Sequence, residues 1–329
     1  MFFPFFAMHI PDGFLNIPVA AVGWALLIVL IAVALRQTRK QVGERQIPLM
    51  GILAACVFAA QMLNFPVAGG TSGHLLGGML VAVLLGPWAT VLVMTCAIGV
   101  QGLLFQDGGL TALGFNVFNM GIISGFVGYA VYTGVCKLMG QTPASQLAGA
   151  ALGAWLGVVL SSVACSLELA ASGTSQLSIA LPAMVGVHML IGVGEALITV
   201  AAVAFIRQTR PDLIDGSAKI ASTGYGWIAA GLLIALALAF ASPLANRNPD
   251  GLDRVAQDQG FAQKEQAPLI TILPNYTVPV IQNETLTTIA AGVLGVLAVA
   301  GVAYGVARLA GRKTADPVAM AASKATDQP

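Results

Sequence analysis

Charged residues are scarce in this chain. Asp, Glu, Lys and Arg make up 9% of its 329 residues, whereas a typical soluble domain has about 25%. The formal net charge is +1, which argues against nucleic acid as a partner because contact with a phosphate backbone takes clustered basic residues. Hydrophobic residues make up 57%, and this balance indicates a protein that lies in a lipid bilayer.

Cysteine is also rare, and the cysteines that occur form no motif. Cys56, Cys96, Cys136 and Cys165 are dispersed through apolar runs, without a Cys-x-x-Cys pair. This pattern favours buried packing residues over disulfides or soft-metal ligands. The sequence also has no Walker A loop, no nucleophile elbow and no convincing pair of catalytic carboxylates. If the protein moves a substrate uphill, another subunit must supply the energy.

Long apolar segments dominate the rest of the chain, and nine of them predict membrane helices. They lie at 17–35, 47–65, two short helices within 75–105 that break at Gly86-Pro87, 115–139, 147–170, 179–206, 224–241 and 285–309. The sequence therefore predicts an all-α polytopic membrane protein. We expect a module of about seven helices and a second module of two helices, joined near 217–223, with a long polar loop at 243–284 in the second module.

Basic residues cluster after alternate predicted helices. These residues are Arg36, Arg39, Lys40, Arg45, Lys137, Arg207, Arg210, Lys219, Arg308, Arg312 and Lys313. With nine helices and an external N-terminus, the positive-inside rule places all of them in the cytoplasm. The segments 7–15, 66–74, 106–114 and 243–284 then face outward together.

The second predicted helix has a stripe of small residues. Gly51, Ala55 and Ala59 recur at four-residue spacing, which lets another helix approach closely. The neighbour could be a partner subunit or another helix of the same chain.

The first candidate metal ligand is His9, in the stretch MHIPDGFL at 8–15. A free α-amine on Met8, the amide nitrogen of His9 and its imidazole Nδ1 would form fused chelate rings around one ion. Three nitrogens in a plane suit the square-planar geometry that Ni(II) and Cu(II) prefer. A second imidazole would fill the fourth position. The alternative is that His9 is an ordinary turn residue at the membrane interface.

His74 is the external imidazole that could complete such a site. It ends a glycine-dense loop, GGTSGH at 69–74, whose backbone can approach another element closely; the alternative is a flexible hairpin with an incidental His. His188 lies inside a predicted membrane helix, with Glu195 two turns later, and such residues in a membrane are usually functional or paired. We place His188 in the outer half of its helix, as a supporting residue or one bonded within the bundle.

Several segments carry a family pattern: MHIPDGFL (8–15), NFPVAGGTSGHLLGG (64–78), LLGPWA (84–89), QDGGLTALGFNVFNMG (106–121) and HMLIGVGEALIT (188–199). They closely resemble the CbiM/NikM substrate-capture subunits of energy-coupling-factor transporters for cobalt and nickel. The segment SPLANRNPDGLDRVAQDQGF (242–261) is similar to the PDGLE domain that accompanies these subunits. The resemblance implies a fusion of two domains, at 8–215 and 216–329.

The resemblance also implies a ligand set. In the family the ion is held by the N-terminal amine, by the backbone and side chain of the second residue, and by a His in the glycine-rich loop. These positions correspond to Met8, His9 and His74. We expect four further residues to support the ligands: Asp12, Asn64, Ser72 and His188.

The chain departs from the family pattern at its start. Seven residues, MFFPFFA, precede Met8, and with them attached the Met8 nitrogen is an amide rather than an amine. They do not resemble a signal peptide, because they lack a basic region and a cleavage site. We therefore expect 1–7 to be a misassigned extension and translation to begin at Met8.

Together these features predict a protein of a bacterial or archaeal cell membrane that captures Ni(II), or Co(II), at the external face. Square-planar geometry favours nickel. The resemblance implies an integral coupling subunit and two ATPase subunits as partners, and no cofactor is expected beyond the transported ion. The alternatives are a membrane enzyme, for example a hydrolase that uses His188 and Glu195, and a passive metal channel.

Overall fold

The computed structural model describes residues 9–41, 46–214 and 226–311, which are largely helical. The α-helices are α1 (Ile17–Gln41), α2 (Gln46–Gln61), α3 (Gly78–Leu85), α4 (Pro87–Val100), α5 (Leu113–Val117), α6 (Ser124–Met139), α7 (Pro143–Ala171), α8 (Leu177–Thr209), α9 (Gly226–Ala241), α10 (Gly251–Asp258) and α11 (Glu284–Gly311). Two π-helical turns, Gln101–Phe105 and Phe118–Ile123, follow α4 and join α5 to α6. Short 3-10 turns lie at Pro211–Leu213, Ser242–Leu244, Ala262–Lys264 and Pro274–Tyr276.

Seven helical stretches in the described residues are long and apolar enough to cross a membrane: Ile17–Arg39, Pro87–Phe105, Leu113–Met139, Pro143–Ala171, Leu177–Thr209, Gly226–Leu244 and Glu284–Gly311. The prediction of an all-α polytopic membrane protein is therefore confirmed. Two of the nine predicted helices are shorter: α2 has 16 residues and α3 has 8. At 1.5 Å per residue, α3 is about 12 Å long, less than half of the hydrocarbon core.

The predicted break at Gly86-Pro87 is confirmed. Gly86 adopts φ +82°, a left-handed conformation that suits glycine, and Pro87 is the first residue of α4. Proline is favoured at this helix position because its missing N–H needs no partner there. The chain therefore turns sharply between α3 and α4.

The second predicted helix ends earlier than expected. It was predicted to run to residue 65, but α2 stops at Gln61, and Phe65–Val67 and Thr71–Gly73 form the antiparallel hairpin β1–β2. Pro66 explains the difference, because a proline disfavours helical conformation in the residue before it. The hairpin presents His74 directly after its second strand.

The small-residue stripe of α2 is used inside the chain. α2 packs against α11 and α9. A Cβ atom added to Gly51 would lie 3.0 Å from the carbonyl oxygen of Ala300 in α11, and Ala55 and Ala59 are fully buried. Intramolecular packing therefore accounts for this stripe.

The four cysteines are all free, as predicted. Three of them are buried, and Cys56 is half-buried. The predicted junction between the two modules, at 215/216, lies outside the described residues.

The loop predicted at 243–284 packs onto one end of the helix bundle. It contains α10, whose Leu252 and Val255 share a buried apolar cluster with Ile10 and Phe14. The ring of Phe261 meets that of Phe14 edge-on, with centroids 5.4 Å apart. The loop, the β1–β2 hairpin and the N-terminal segment therefore meet at the same end of the molecule, as the predicted topology requires.

Candidate metal centre

The two predicted imidazole ligands lie close together with their rings parallel. The rings of His9 and His74 are parallel within 3°, and their centroids are 5.9 Å apart. Their exposed fractions are 1% and 2%. Metal–imidazole bonds are about 2 Å long, so the structure brings the two rings within reach of one ion even though 65 positions separate them in the sequence.

A buried carboxylate that was not singled out as a site residue contacts His9. Asp107 Oδ1 lies 2.9 Å from His9 Nδ1, although the ring N–H is not aimed along this line. Asp107 Oδ2 accepts a hydrogen bond of 2.6 Å from the hydroxyl of Tyr276. Burial alone would raise the pKa of Asp107, but His9 and the Tyr276 hydroxyl outweigh it, so this pKa is lowered and the carboxylate stays charged.

This contact differs from the chelate expected at the N-terminus. That chelate uses Nδ1 of His9, whereas in the structure Nδ1 faces Asp107. His9 Nε2 is buried and has no hydrogen-bond partner among the described residues. Metal-binding histidines commonly pair one ring nitrogen with a carboxylate and present the other to the ion. An ion bound by His9 would therefore meet Nε2, or Nδ1 after a turn of the ring.

The segment around His9 is held by α5 and by the loop that precedes it. Asn116 Oδ1 accepts from the Ile10 N–H at 2.7 Å, and Asn116 Nδ2 donates to the Ile10 carbonyl at 3.0 Å. Gly108 lies against His9 at φ +90°, and a Cβ atom there would be 2.8 Å from the His9 Cβ. A glycine is therefore required at this close approach.

The carboxylate of Asp12 is hydrogen-bonded to the neighbouring loop. Its Oδ1 accepts from the Thr111 backbone N–H at 2.8 Å and from the Thr111 hydroxyl at 2.6 Å. The Pro-Asp-Gly turn is thereby fixed to the loop that carries Asp107. The supporting role expected for Asp12 remains a prediction.

Asn64 and Ser72 connect the hairpin to the C-terminal loop. Asn64 Nδ2 donates to Ser72 Oγ at 3.3 Å, and Ser72 Oγ donates to the Asn248 carbonyl at 2.8 Å. The Ser72 N–H also donates to the Pro249 carbonyl at 2.9 Å. Both residues thus act on the backbone that positions His74, two residues after Ser72.

The environment of His74 keeps its imidazole neutral. Nδ1 lies 2.9 Å from the carbonyl oxygen of Leu75. Burial, followed by the neighbouring His9, lowers the pKa of His74 from 6.5 to about 4. A neutral imidazole is the form that binds a metal ion.

Glu195 and His188 have separate tasks in α8. Glu195 accepts from the backbone N–H groups of Leu76 at 2.7 Å and Gly77 at 3.1 Å, which fixes the chain just after His74. His188 is fully buried, with Nδ1 2.6 Å from the Met184 carbonyl. A Cβ atom on Gly251 would meet its ring at 2.7 Å. Since both Glu195 oxygens bind the backbone, this pair gives no support to the hydrolase alternative.

Met8 lies outside the described residues. Within the described ranges, no group of three or more His, Cys, Asp and Glu side chains is arranged to hold a metal ion. The side chains on which a site can be built here are therefore the two parallel imidazoles, with Asp107 behind His9.

Comparisons with known proteins identify the family. Residues 9–213 match the family model CbiM, described as the cobalt uptake substrate-specific transmembrane region. The chain belongs to the CbiM family. Residues 225–312 match the PDGLE domain, so the CbiM region is followed in the same chain by this second domain.

Relatives with the same organisation include a putative fused nickel transport protein NikMN from Archaeoglobus fulgidus. It is 36% identical over 306 residues, which cover 92% of this chain and 99% of the relative. A fused nickel transport protein NikMN from Rhodobacter capsulatus is 32% identical over 63% of this chain and 64% of its own length.

A further relative matches over a smaller part of this chain than the Archaeoglobus protein does. The cobalt transport protein CbiM from Sorangium cellulosum is 35% identical over 63% of this chain and 95% of that protein.

Solved structures agree with this assignment. A crystal structure of a transition metal transporter superposes with a TM-score of 0.57 at 33% identity and covers 65% of this chain and 100% of that chain. A truncated transition metal transporter superposes with a TM-score of 0.55 at 36% identity and covers 61% and 99%. This CbiM-family chain is thus a multi-pass membrane protein of the nickel and cobalt transport class.

Proposed function

We propose that this CbiM-family chain captures Ni(II), or Co(II), between His9 and His74 as the first step of metal uptake. The observation that carries the proposal is the parallel, buried pair of imidazoles 5.9 Å apart. The names of the relatives, nickel and cobalt transport proteins, support the choice of ion.

The proposed ligands are Met8, through its backbone nitrogen, His9 and His74. Nitrogen donors in one plane favour Ni(II) over the harder divalent ions. Asp107 and Tyr276 are positioning residues in this proposal, because they contact His9 rather than the ion. If the chain begins at Met8, a free amine joins the ligand set, and amines give up their proton far more readily than amides.

We further propose that the site faces the exterior of the cell membrane. The basic residues Arg36, Arg207 and Arg308 lie toward the C-terminal ends of α1, α8 and α11, and short basic loops favour the cytoplasm. In this arrangement the CbiM domain spans 8–215 and the PDGLE domain 216–329. An integral coupling subunit and two ATPase subunits supply the energy.

The first experiment removes one proposed ligand. Replacing His74 with Ala in the purified protein should abolish tight Ni(II) binding in isothermal titration calorimetry. Thermal stability of the metal-free variant is measured in parallel, so that a folding defect is recognised. Undiminished Ni(II) affinity in the folded variant would exclude His74 as a ligand.

The second experiment varies the N-terminus. A chain that starts at Met8 should bind Ni(II) tightly and show the d–d absorption of a square-planar nitrogen site. A chain that keeps residues 1–7, or carries an N-terminal tag, should bind far more weakly, because an amide replaces the amine. Equal affinities would show that the Met8 nitrogen is not a ligand.

A further inference from the structure

A cavity of about 80 Å³ with both polar and apolar residues in its walls lies between the end of α2 and the C-terminal part of the chain. Both parts of the chain build its walls, and the lining includes Gln61, Asn64, Asp107, Arg247, Glu284 and Thr285. A water molecule needs only about 10–15 Å³ of such volume. The cavity therefore has room for several waters.

The inner end of this cavity reaches the candidate metal centre. Asp107, with 4% of its surface exposed, is part of the wall. The same carboxylate lies 2.9 Å from His9 Nδ1. One side chain therefore separates the cavity from a proposed ligand.

The outer end of the cavity is marked by an exposed ion pair. Arg247 Nη2 lies 2.7 Å from Glu284 Oε1, and these side chains are 68% and 56% exposed. Exposed pairs of this kind contribute little to stability, about 0–1 kcal/mol. The pair can therefore open at small cost when another cation approaches Glu284.

We propose that this cavity is the entrance through which a hydrated divalent cation reaches His9, with Glu284 as its outer carboxylate and Asp107 as its inner one. The inference rests on the proposed function. Hydrated divalent ions bind carboxylate and carbonyl oxygens, and the side-chain amides of Gln61 and Asn64 also line the cavity. A cleft with a net negative charge concentrates cations and speeds their association.

A second cavity near the site offers a competing entrance. It has a volume of about 220 Å³ and is lined in part by Asp12, Gly108 and Glu265. Its inner carboxylate, Asp12, is held by hydrogen bonds from Thr111, just as Asp107 is held by one from Tyr276. We favour the smaller cavity because its inner carboxylate contacts His9 directly.

The test compares two exposed Arg–carboxylate pairs of the same chain. Glu284 pairs with Arg247 at the cavity, whereas Asp258 pairs with Arg254 on α10, outside the cavity lining. Stopped-flow measurements follow Ni(II) association at low and high salt with the chain that starts at Met8, which serves as the wild type here. Each substitution to the neutral amide removes one negative charge from the same C-terminal region.

Glu284→Gln should slow association about three- to tenfold at low salt, with a smaller effect at high salt. Dissociation should slow by a similar factor, because an entrance affects both directions and leaves the equilibrium affinity unchanged. Arg247→Gln should speed association. Asp258→Asn should leave both rates unchanged.

Several results would overturn the inference. Equal slowing by Glu284→Gln and Asp258→Asn would show a general charge effect, and slowing by Glu265→Gln alone would place the entrance at the larger cavity. If the wild type binds Ni(II) and the Glu284→Gln variant binds it at the wild-type association rate, the proposed entrance is wrong and the proposed function stands. If the wild type binds neither Ni(II) nor Co(II), both fail.

Discussion

Replacing Tyr276 with Phe removes one hydroxyl group from the support of the metal centre. That hydroxyl donates the 2.6 Å hydrogen bond to Asp107, whose other oxygen lies against His9. The aromatic ring itself remains, and it stacks on Phe105 with centroids 4.7 Å apart and planes within 11°. The substitution therefore tests the hydrogen bond and leaves the packing in place.

The size of the expected loss in Ni(II) affinity follows from this hydrogen bond. A hydrogen bond to a charged group contributes about 1.5–3 kcal/mol, and the Asp107 carboxylate that receives this one is buried. Losing a residue that orients a metal ligand costs about 10- to 100-fold in metal affinity. A hundredfold loss corresponds to about 2.7 kcal/mol, which one such hydrogen bond can supply. We therefore expect Tyr276→Phe to weaken Ni(II) binding by about 10- to 100-fold.

The assay is a competition titration of Ni(II) against a chromogenic chelator, with Tyr304→Phe as the matched control. Tyr304 is a half-exposed tyrosine on α11 in the same C-terminal part. Tyr304→Phe should bind as the wild type does. If Tyr276→Phe also binds with wild-type affinity, Asp107 does not depend on Tyr276 to position His9, and the reasoning is wrong.

Further predictions concern the backbone near His9 and the response to pH. Gly108→Ala should lower both stability and Ni(II) affinity, because Gly108 has φ +90° and a Cβ there meets His9 at 2.8 Å; a left-handed non-glycine residue costs about 1–3 kcal/mol. Gly140→Ala is the control, with φ +80° and no atom within 4 Å of the new Cβ; it should lower stability without weakening Ni(II) binding, and equal binding by both variants would contradict the steric argument. In the metal-free protein, burial lowers the pKa of His74 from 6.5 to about 4. Between pH 6.5 and pH 4, this imidazole is therefore protonated in the unfolded state and neutral in the folded state. Unfolding free energy should therefore fall by about 2 kcal/mol from pH 7 to 5, a slope that His74→Gln should reduce in thermal unfolding; identical slopes would contradict the burial of this imidazole.

Local sequence signals predict the long helices of this protein well, but they predict the short elements between those helices poorly. The break at Gly86-Pro87 is visible in the sequence because both residues act on their own backbone conformation. The hairpin at 65–73 could have been anticipated from Pro66, which excludes helix just before it. Helix α10 was missed because its eight residues lie in a polar loop without a long apolar run.

The candidate site shows the same limit. His9 and His74 were found because a histidine is rare in this chain and each sits in a distinctive motif. Asp107 is also in such a motif, and a charged residue beside two glycines was a usable signal. Its partner Tyr276 lies 169 positions away, and nothing local indicates that this tyrosine meets Asp107. Contacts between residues so far apart in the sequence depend on how the loops fold over the helix bundle.

The C-terminal loop contacts the CbiM region through the apolar cluster around Phe14 and through backbone hydrogen bonds, such as that from the Asn246 N–H to the Asn64 carbonyl at 2.8 Å. Because both partners belong to one chain, their encounter is intramolecular, with an effective concentration on the order of millimolar. A loop that would bind as a separate chain with a Kd of about 50 µM is then docked about 95% of the time. Every copy carries its own loop at a fixed ratio of one to one, whatever the expression level. Because the two parts are fused, the loop needs less binding affinity of its own to occupy its site nearly all of the time.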